Sequence, residues 1–147
     1  MAGKGQPKKV ESPEKMLELW KEYKDYVKAN PRHIYQLDRN GQLVAVPHEV
    51  PLTQQGFEVH VYNNYGFHIG HYFDNKDKLY NDYVAICSHI RAERQRDQIE
   101  GGMVGQYNPS ITQRLNNLKE QTDITTEGEK IQQLPSISIE IIPPTEE

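Results

Sequence analysis

Apolar side chains recur every three or four residues in the first clearly patterned part of the chain. This spacing places them in one stripe along a helix. The stripe comprises Met16, Leu19, Trp20, Tyr23 and Val27. Ser12 can cap such a helix, and Pro13 and Glu14 suit its first turn. The pattern therefore predicts an amphipathic helix that begins after Ser12 and ends at Asn30-Pro31.

A pattern with strand character follows this helix. Residues 33–37 and 43–46 are two short runs with strand character, joined through Asn40-Gly41. Asn-Gly is the strongest local signal for a β-hairpin. The sequence predicts a small hairpin that Pro47 and Pro51 close.

The helical period then returns in two short segments. Thr53 is a candidate cap for the first, which carries Phe57 and Val61, and Asn63-Asn64 provides a tight polar turn. The second segment places on its inner face Ile69, Tyr72 and Phe73. Two short helices around a tight turn resemble a helix-turn-helix. The side chains that would face outward and could meet DNA are His68, His71, Asn75, Lys76 and Lys78.

The longest helical pattern lies between residues 80 and 121, and it is interrupted by the glycine-rich stretch 100–109. Glycines let two backbones approach closely, and Asn108-Pro109 suits the start of a second helix. The expected structure is a helical hairpin, which has too little apolar surface to be stable alone and so needs partners. The side chains assigned to oligomerisation are Tyr83, Val84, Cys87, Ile90, Tyr107, Ile111, Leu115 and Leu118.

The two ends of the chain differ in character. Residues 1–10 are predicted to be a disordered basic arm, in which Lys8 and Lys9 could meet DNA. Residues 137–142 are β-branched and partly alternating, which suits a short strand. An apolar strand near a terminus must be paired or it promotes aggregation. We therefore expect Ile139 and Ile141 to pair with other copies of the chain.

Composition limits the classes of function. The 147 residues are 35% hydrophobic and 26% charged, with a formal net charge of −4. This balance argues against a protein that coats nucleic acid by bulk electrostatics, but local basic patches remain, among them Arg91, Arg94 and Arg96. The chain has no apolar run long enough to span a bilayer and no hydrophobic signal region, so a cytoplasmic protein without membrane contact is expected. Cys87 can form no intrachain disulfide and is expected to pack in the core.

Motifs for catalysis are absent from the sequence. It contains no phosphate-binding loop, no Gly-x-Ser-x-Gly elbow and no evident carboxylate cluster for two metal ions. His68 and His71 have the spacing of two metal ligands, but no further cysteine or histidine completes a site. We predict no enzymatic activity, no cofactor and no bound metal.

The order of these features resembles the small terminase subunit of tailed bacteriophages. The resemblance runs from about residue 11 to 121. It rests on Glu-Ser-Pro-Glu with a helix to Asn30-Pro31, a hairpin, Pro-Leu-Thr-Gln-Gln-Gly-Phe from Pro51, and Gly-Gly-Met-Val-Gly-Gln-Tyr-Asn-Pro-Ser-Ile from Gly101.

The resemblance implies a function and an architecture. Proteins of that family form rings, recognise the packaging start on viral double-stranded DNA, and pass it to a large subunit with the ATPase and nuclease. The fold implied is mainly α, with a helix-turn-helix module and small β-hairpin (11–78), a helical hairpin for oligomerisation (79–121), and a C-terminal strand segment and tail (122–147) that could form a β-barrel between subunits. The location implied is the host cell cytoplasm. The tail residues expected to dock on the large subunit are Pro143, Pro144, Glu146 and Glu147.

One feature departs from the family pattern. The candidate recognition helix is rich in His and Gly and poor in Arg, so the sequence does not favour major-groove reading by paired Arg contacts. DNA binding would instead use the basic arm, Lys76 and Lys78, or the three arginines, each repeated around a ring.

Two other classes of protein fit the same patterns. A dimeric helix-turn-helix transcription regulator would use the helical hairpin as its dimer interface and would bind a palindromic site. A structural or adaptor protein of a virion would dock through its C-terminal strand and tail and would have no affinity for DNA.

Overall fold

The structure, a computed structural model, describes residues 8–118. Its helices are α1 (Pro13–Ala29), α2 (Gln54–Tyr65), α3 (Gly70–Asp74), α4 (Val84–Met103) and α5 (Pro109–Leu115). Two strands, β1 (Arg32–Leu37) and β2 (Leu43–His48), lie between α1 and α2, and two 3-10 turns (Lys76–Lys78 and Asn81–Tyr83) connect α3 to α4. The prediction of a mainly α protein with a small antiparallel sheet is confirmed for this part of the chain.

Helix α1 has the predicted boundaries and the predicted buried face. The Ser12 hydroxyl accepts a hydrogen bond from the backbone N–H of Lys15 at 3.1 Å, which caps the helix. All five residues of the apolar stripe are buried. The cap and the stripe are both local features, which is why the sequence could predict them.

The β-hairpin has the predicted position, but its ends and its turn differ from the prediction. Pro47 lies within β2, opposite His33 on β1, and does not end the strand. The turn is held by Asp38, whose carboxylate accepts hydrogen bonds from the backbone N–H groups of Asn40 and Gln42, both at 2.8 Å. Gly41 takes the left-handed conformation (φ 74°) that the turn requires.

Helices α2 and α3 follow the predicted order with a shorter second helix. Thr53 caps α2 by accepting from the N–H of Gly56 at 3.0 Å, and Gly66 ends it in a left-handed conformation (φ 74°). Helix α3 has only five residues. Its inner side is nevertheless buried as predicted, through Ile69, Tyr72 and Phe73.

A single hydrophobic cluster joins α1, α2, α3 and α4. Tyr83, Cys87 and Ile90 are all 2% exposed or less and belong to this cluster. Their assignment to oligomerisation is therefore corrected, because these side chains have no surface left for a second copy. The same cluster contains residues from both sides of the expected boundary between residues 78 and 79. The predicted core role of Cys87 is confirmed, and burial raises the pKa of its thiol to about 11.

A half-buried carboxylate connects α1 to α4. Glu93 accepts hydrogen bonds from the indole Nε1 of Trp20 and from Lys24 Nζ, the latter at 2.9 Å. Burial raises the pKa of Glu93, but the hydrogen bonds from Lys24 and Trp20 outweigh it and hold the pKa below its usual value. The contact ties together two elements that lie about seventy residues apart in the sequence.

The end of the basic arm is also fixed in the structure. Val10 is 1% exposed. Its N–H donates to the Tyr72 hydroxyl at 2.9 Å, and its carbonyl accepts from the Tyr83 hydroxyl at 2.6 Å. The prediction of disorder is thus wrong for residues 8–10, because two buried tyrosines satisfy both backbone groups of Val10.

Helices α4 and α5 form the predicted hairpin, and glycine makes their contact close. A Cβ atom on Gly101 would lie 2.1 Å from the ring of Tyr107, and one on Gly102 would lie 3.0 Å from the side chain of Thr112. Asn108 caps α5 by accepting from the N–H groups of Ser110 and Ile111. Helix α5 ends at Leu115, several residues before the predicted end.

The other residues assigned to oligomerisation divide into three groups. Tyr107 is half-buried within its own chain. Side chains that are exposed are Val84, Ile111, Leu115 and Leu118, together with the neighbouring Met103 and Val104. Ile139 and Ile141 lie outside the described residues, as do all four tail residues assigned to large-subunit docking, Pro143, Pro144, Glu146 and Glu147.

Candidate nucleic-acid interface

The fold brings the basic arm beside the turn that carries Lys76 and Lys78. Lys8 Nζ lies 5.7 Å from the ring centre of Tyr80 and 5.0 Å from that of Tyr83. Tyr80 follows Lys78 by two positions. Lys8, Lys9, Lys76 and Lys78, which we call the lysine surface, therefore share one region of the molecule, although almost seventy residues separate the two pairs in the sequence.

The turn has an unusual backbone conformation that Asn75 stabilises. Asn75, Asp77 and Lys78 have φ values of 45°, 59° and 56°, in the left-handed region that residues other than glycine seldom adopt. The Asn75 side chain accepts from the N–H of Tyr80 at 2.8 Å and donates to Asn81 at 2.9 Å. Asn75 was predicted to contact DNA; in the structure it is half-buried and its side chain stabilises the turn, in which both lysines are exposed.

The two histidines of the predicted recognition helix pack on aromatic rings. His68 stacks on Tyr62 with ring centres 4.5 Å apart. His71 lies against Tyr72 and Tyr80, at 4.7 Å and 5.1 Å. Both remain exposed. A helix of five residues offers only about 7.5 Å of length, so this segment provides less surface to a groove than the sequence suggested.

The three arginines of α4 do not form one basic strip. Arg91 donates to the carbonyl of Phe73 at 2.5 Å and lies over its ring, whereas Arg94 donates to Gln54 at 3.2 Å. Arg96 is exposed and pairs loosely with Glu100 at 4.0 Å. Two of the three guanidinium groups thus stabilise the fold of the chain. Arg91 nevertheless remains exposed and Arg94 half-buried, and the assignment of both to DNA binding stays a prediction.

The lysine surface has only a small excess of positive charge. Asp74 and Asp77 are sequence neighbours of Lys76 and Lys78, and Asp82 pairs with Lys8 at 3.5 Å. Residues 8–118 carry as many Lys and Arg as Asp and Glu. The formal charge of −4 therefore comes from the remaining residues, of which 119–147 are strongly acidic.

A cleft of about 1070 Å³ lies between the hairpin and helices α1 and α2. His60 lies in its wall, 8% exposed, with Nε2 at 3.3 Å from Glu22. The hydroxyl of Tyr65 donates to the same carboxylate at 2.6 Å. The sequence did not indicate this cleft, because its lining comes from four elements whose proximity no local pattern reveals. Its volume is at the upper end of the range for small-molecule sites.

The described residues offer no evident centre for metal or thiol chemistry. Among residues 8–118 no group of three or more His, Cys, Asp or Glu side chains could hold a metal ion. The Cys87 thiol is buried, and its raised pKa keeps it protonated near neutral pH.

In residues 8–118 no helix combines the length and apolar character that crossing a membrane requires. No protein-family model matches the sequence, and no curated protein matches it.

Proposed function

We propose that this chain is a non-catalytic, ring-forming subunit that recognises viral double-stranded DNA at the start of genome packaging. In this role it would present the DNA to a large subunit with ATPase and nuclease activity. The small terminase subunits that the sequence resembles have this role. The site of action would be the host cell cytoplasm. The finer architecture belongs to the same proposal: α2 and α3 as a reduced helix-turn-helix, and α4 with α5 as the element that joins copies.

The observation that carries the proposal is the connection between α4 and α5. This stretch holds the most specific part of the sequence resemblance, from Gly101 to Ile111. In the structure it packs glycine against Tyr107 and Thr112, and it leaves Met103 and Val104 more than three-quarters exposed. Helix α5 exposes two further large apolar side chains, Ile111 and Leu115. A large apolar patch on a soluble protein usually marks a site of association, and we assign these four side chains to such a site.

DNA binding is assigned to the lysine surface. One copy has only a small excess of positive charge there, but a ring repeats the surface and presents many weak sites to one duplex. Each neutralised phosphate releases counterions, so such binding depends steeply on salt concentration. A titration that stays flat between low and physiological salt would exclude this mode of binding.

A matched pair of variants tests the assignment. Lys76→Ser with Lys78→Ser is expected to weaken DNA binding and to reduce the salt dependence. Lys21→Ser with Lys28→Ser removes the same charge from exposed positions of α1 and is expected to have a smaller effect. Equal effects of the two pairs would show that only net charge matters and that the lysine surface is not the binding site.

Contact with the large subunit is assigned to the tail, residues 143–147. Removal of residues 134–147 should reduce stimulation of the large subunit's ATPase while residues 8–118 keep their fold. The single tryptophan, Trp20, reports on that fold because it lies on α1, is buried, and donates to Glu93 of α4. Full stimulation by the truncated chain would contradict the assignment.

The native mass distinguishes the proposed function from its two alternatives. A closed assembly of many copies supports the packaging subunit. A dimer that binds a palindromic site would support a transcription regulator, and a protein without DNA affinity at any salt concentration would support a virion adaptor. A transcription regulator of this class needs a recognition helix that reaches into a DNA groove. Helix α3 has only five residues, so it gives no specific support to this alternative.

A further inference from the structure

The β-hairpin is an incomplete sheet. Its two strands pair only with each other among the described residues, and all residues of β1 are exposed. Two-stranded hairpins are at best marginally stable in water without a third strand or a packed face. The hairpin therefore has both an edge and a face that a further segment could cover.

The outer edge of β1 is the one suited to a new strand. Pro47 has no N–H group, and a strand accommodates proline where its backbone nitrogen points away from the neighbouring strand. It interrupts the outer edge of β2 and so protects that edge from pairing. Strand β1 has no proline from Arg32 to Leu37, and its outer N–H and C=O groups form a continuous edge.

One face of the hairpin is apolar and uncovered. Alternation along the strands and the pairing of Leu37 with Leu43 put Tyr35, Leu37 and Leu43 on the same face. These side chains are 66%, 69% and 67% exposed. Their position on one face indicates an occupant with apolar side chains at every second position.

The chain contains such a segment beyond the described residues. Residues 137–141 read Ile-Ser-Ile-Glu-Ile, with isoleucine at every second position. We propose that this segment adds to the outer edge of β1 in the same chain as a third strand, with its isoleucines beside Tyr35 and Leu37. This pairing replaces the association between copies that the sequence suggested for Ile139 and Ile141.

The place where the described residues end favours pairing within one chain. Asn116 donates to Gln98 at 3.1 Å, and Gln98 donates to the carbonyl of Leu52 at 2.7 Å. Leu52 lies four residues after β2, so the chain leaves the folded part close to the base of the hairpin. The residues between 118 and 137 can span roughly 60 Å when extended, which is more than enough to reach β1.

Charge supports the same occupant. Residues 119–147 are strongly acidic, whereas Arg32 and His33 begin β1 and Arg39 lies in the turn. Glu140 would enter a region with more basic than acidic groups along β1. Opposite charges on neighbouring strands stabilise a sheet.

Cysteine trapping tests the pairing in the full-length protein. Under mild oxidation, Leu37→Cys with Ile139→Cys should form an intrachain disulfide that shifts monomer mobility on a denaturing gel. The control joins Ile139→Cys with Leu79→Cys, which is similarly exposed at 64% but lies outside the hairpin. The natural Cys87 is buried and should not interfere. Equal trapping in the two proteins, or a disulfide between chains, would overturn the proposal.

Hydrogen exchange gives an independent measurement. The amides of β1 that face outward should exchange at least tenfold more slowly in the full-length chain than in one that ends at residue 134. The amides of α1 should exchange equally in both and thus confirm an intact core. Unchanged exchange in β1 would overturn the proposal. Neither test depends on ring formation. The third strand can therefore be disproved while the proposed function stands, and the proposed function can be disproved while the third strand stands.

Discussion

Alanine at Gly101 should loosen the contact between α4 and α5. In a helix, Gly→Ala normally stabilises by about 1 kcal/mol. Here the new Cβ would lie 2.1 Å and 2.2 Å from two ring carbons of Tyr107, so the ring or α5 must move. Overpacking costs about 1–3 kcal/mol, and contacts this short with a ring belong in the upper part of that range, at about 2–3 kcal/mol. We expect the crowding to outweigh the helical gain, with a net loss of about 1–2 kcal/mol.

The measurement is unfolding by urea and by heat, with circular dichroism as the signal. For a chain of this size a loss of 1 kcal/mol lowers Tm by about 3 °C, so Gly101→Ala should lower Tm by about 3–6 °C. Gly102→Ala is the matched control, because its Cβ would lie 3.0 Å from the side chain of Thr112, a contact that needs a much smaller shift than the one at Gly101. Its effect should be close to zero.

A double-mutant cycle identifies the cause. In a Tyr107→Ala background the space beside Gly101 is open, so Gly101→Ala should there stabilise by up to about 1 kcal/mol. A Gly101→Ala protein that is as stable as the original chain with Tyr107 in place would refute the close contact. If α5 also joins copies of the chain, Gly101→Ala should lower the native mass as well, and Gly102→Ala should not.

Three further predictions concern side chains that are buried or half-buried. Glu93→Gln should lower stability at neutral pH by about 1–2 kcal/mol, measured by Trp20 fluorescence in urea. Since the pKa of Glu93 is lowered in the folded chain, its carboxylate contributes fully to the free energy of unfolding above about pH 4.3, and the contribution fades as the pH falls through the folded pKa. The original chain and Glu93→Gln should therefore become equally stable in strong acid. A difference in stability that persists there would count against the ion pair. The thiol of Cys87 should react with an aromatic disulfide reagent at neutral pH only as fast as the chain opens; rapid labelling of the folded protein would show that it is not buried. Tyr83→Phe should cost about 1–2 kcal/mol because it leaves the carbonyl of Val10 without a donor, and the same loss in a chain that lacks residues 1–10 would disprove that explanation.

The sequence predicted the features that depend on neighbours in the chain. Helix α1 has its cap, its first-turn proline and its whole buried face within residues 12–30. The start of α5 depends on Asn108 and Pro109 alone, and both perform the expected roles. The hairpin was located by Asn40-Gly41, although the carboxylate of Asp38 holds a longer turn than that dipeptide by itself suggests.

The features that were missed depend on distant residues. An apolar stripe shows that Tyr83 and Ile90 are buried, but it does not show whether the chain's own helices or another copy covers them. In the sequence, Arg91 and Arg94 belong to a run that is typical of a solvated helix face. Only the fold shows that Arg91 bonds to Phe73 and Arg94 to Gln54. The lysine surface could not be found as a unit, because it forms only when Val10 is fixed between α3 and α4.

The attachment of Val10 also determines when the chain can fold during synthesis. Its partners Tyr72 and Tyr83 lie 62 and 73 residues further along the sequence. Glu93, the partner of Trp20, likewise follows Trp20 by 73 residues. At roughly 5–20 residues per second, a ribosome needs roughly 4–15 seconds to make that length. Helix α1 is therefore complete long before the helix that covers it emerges. During this interval its apolar stripe is exposed to other nascent chains and to chaperones.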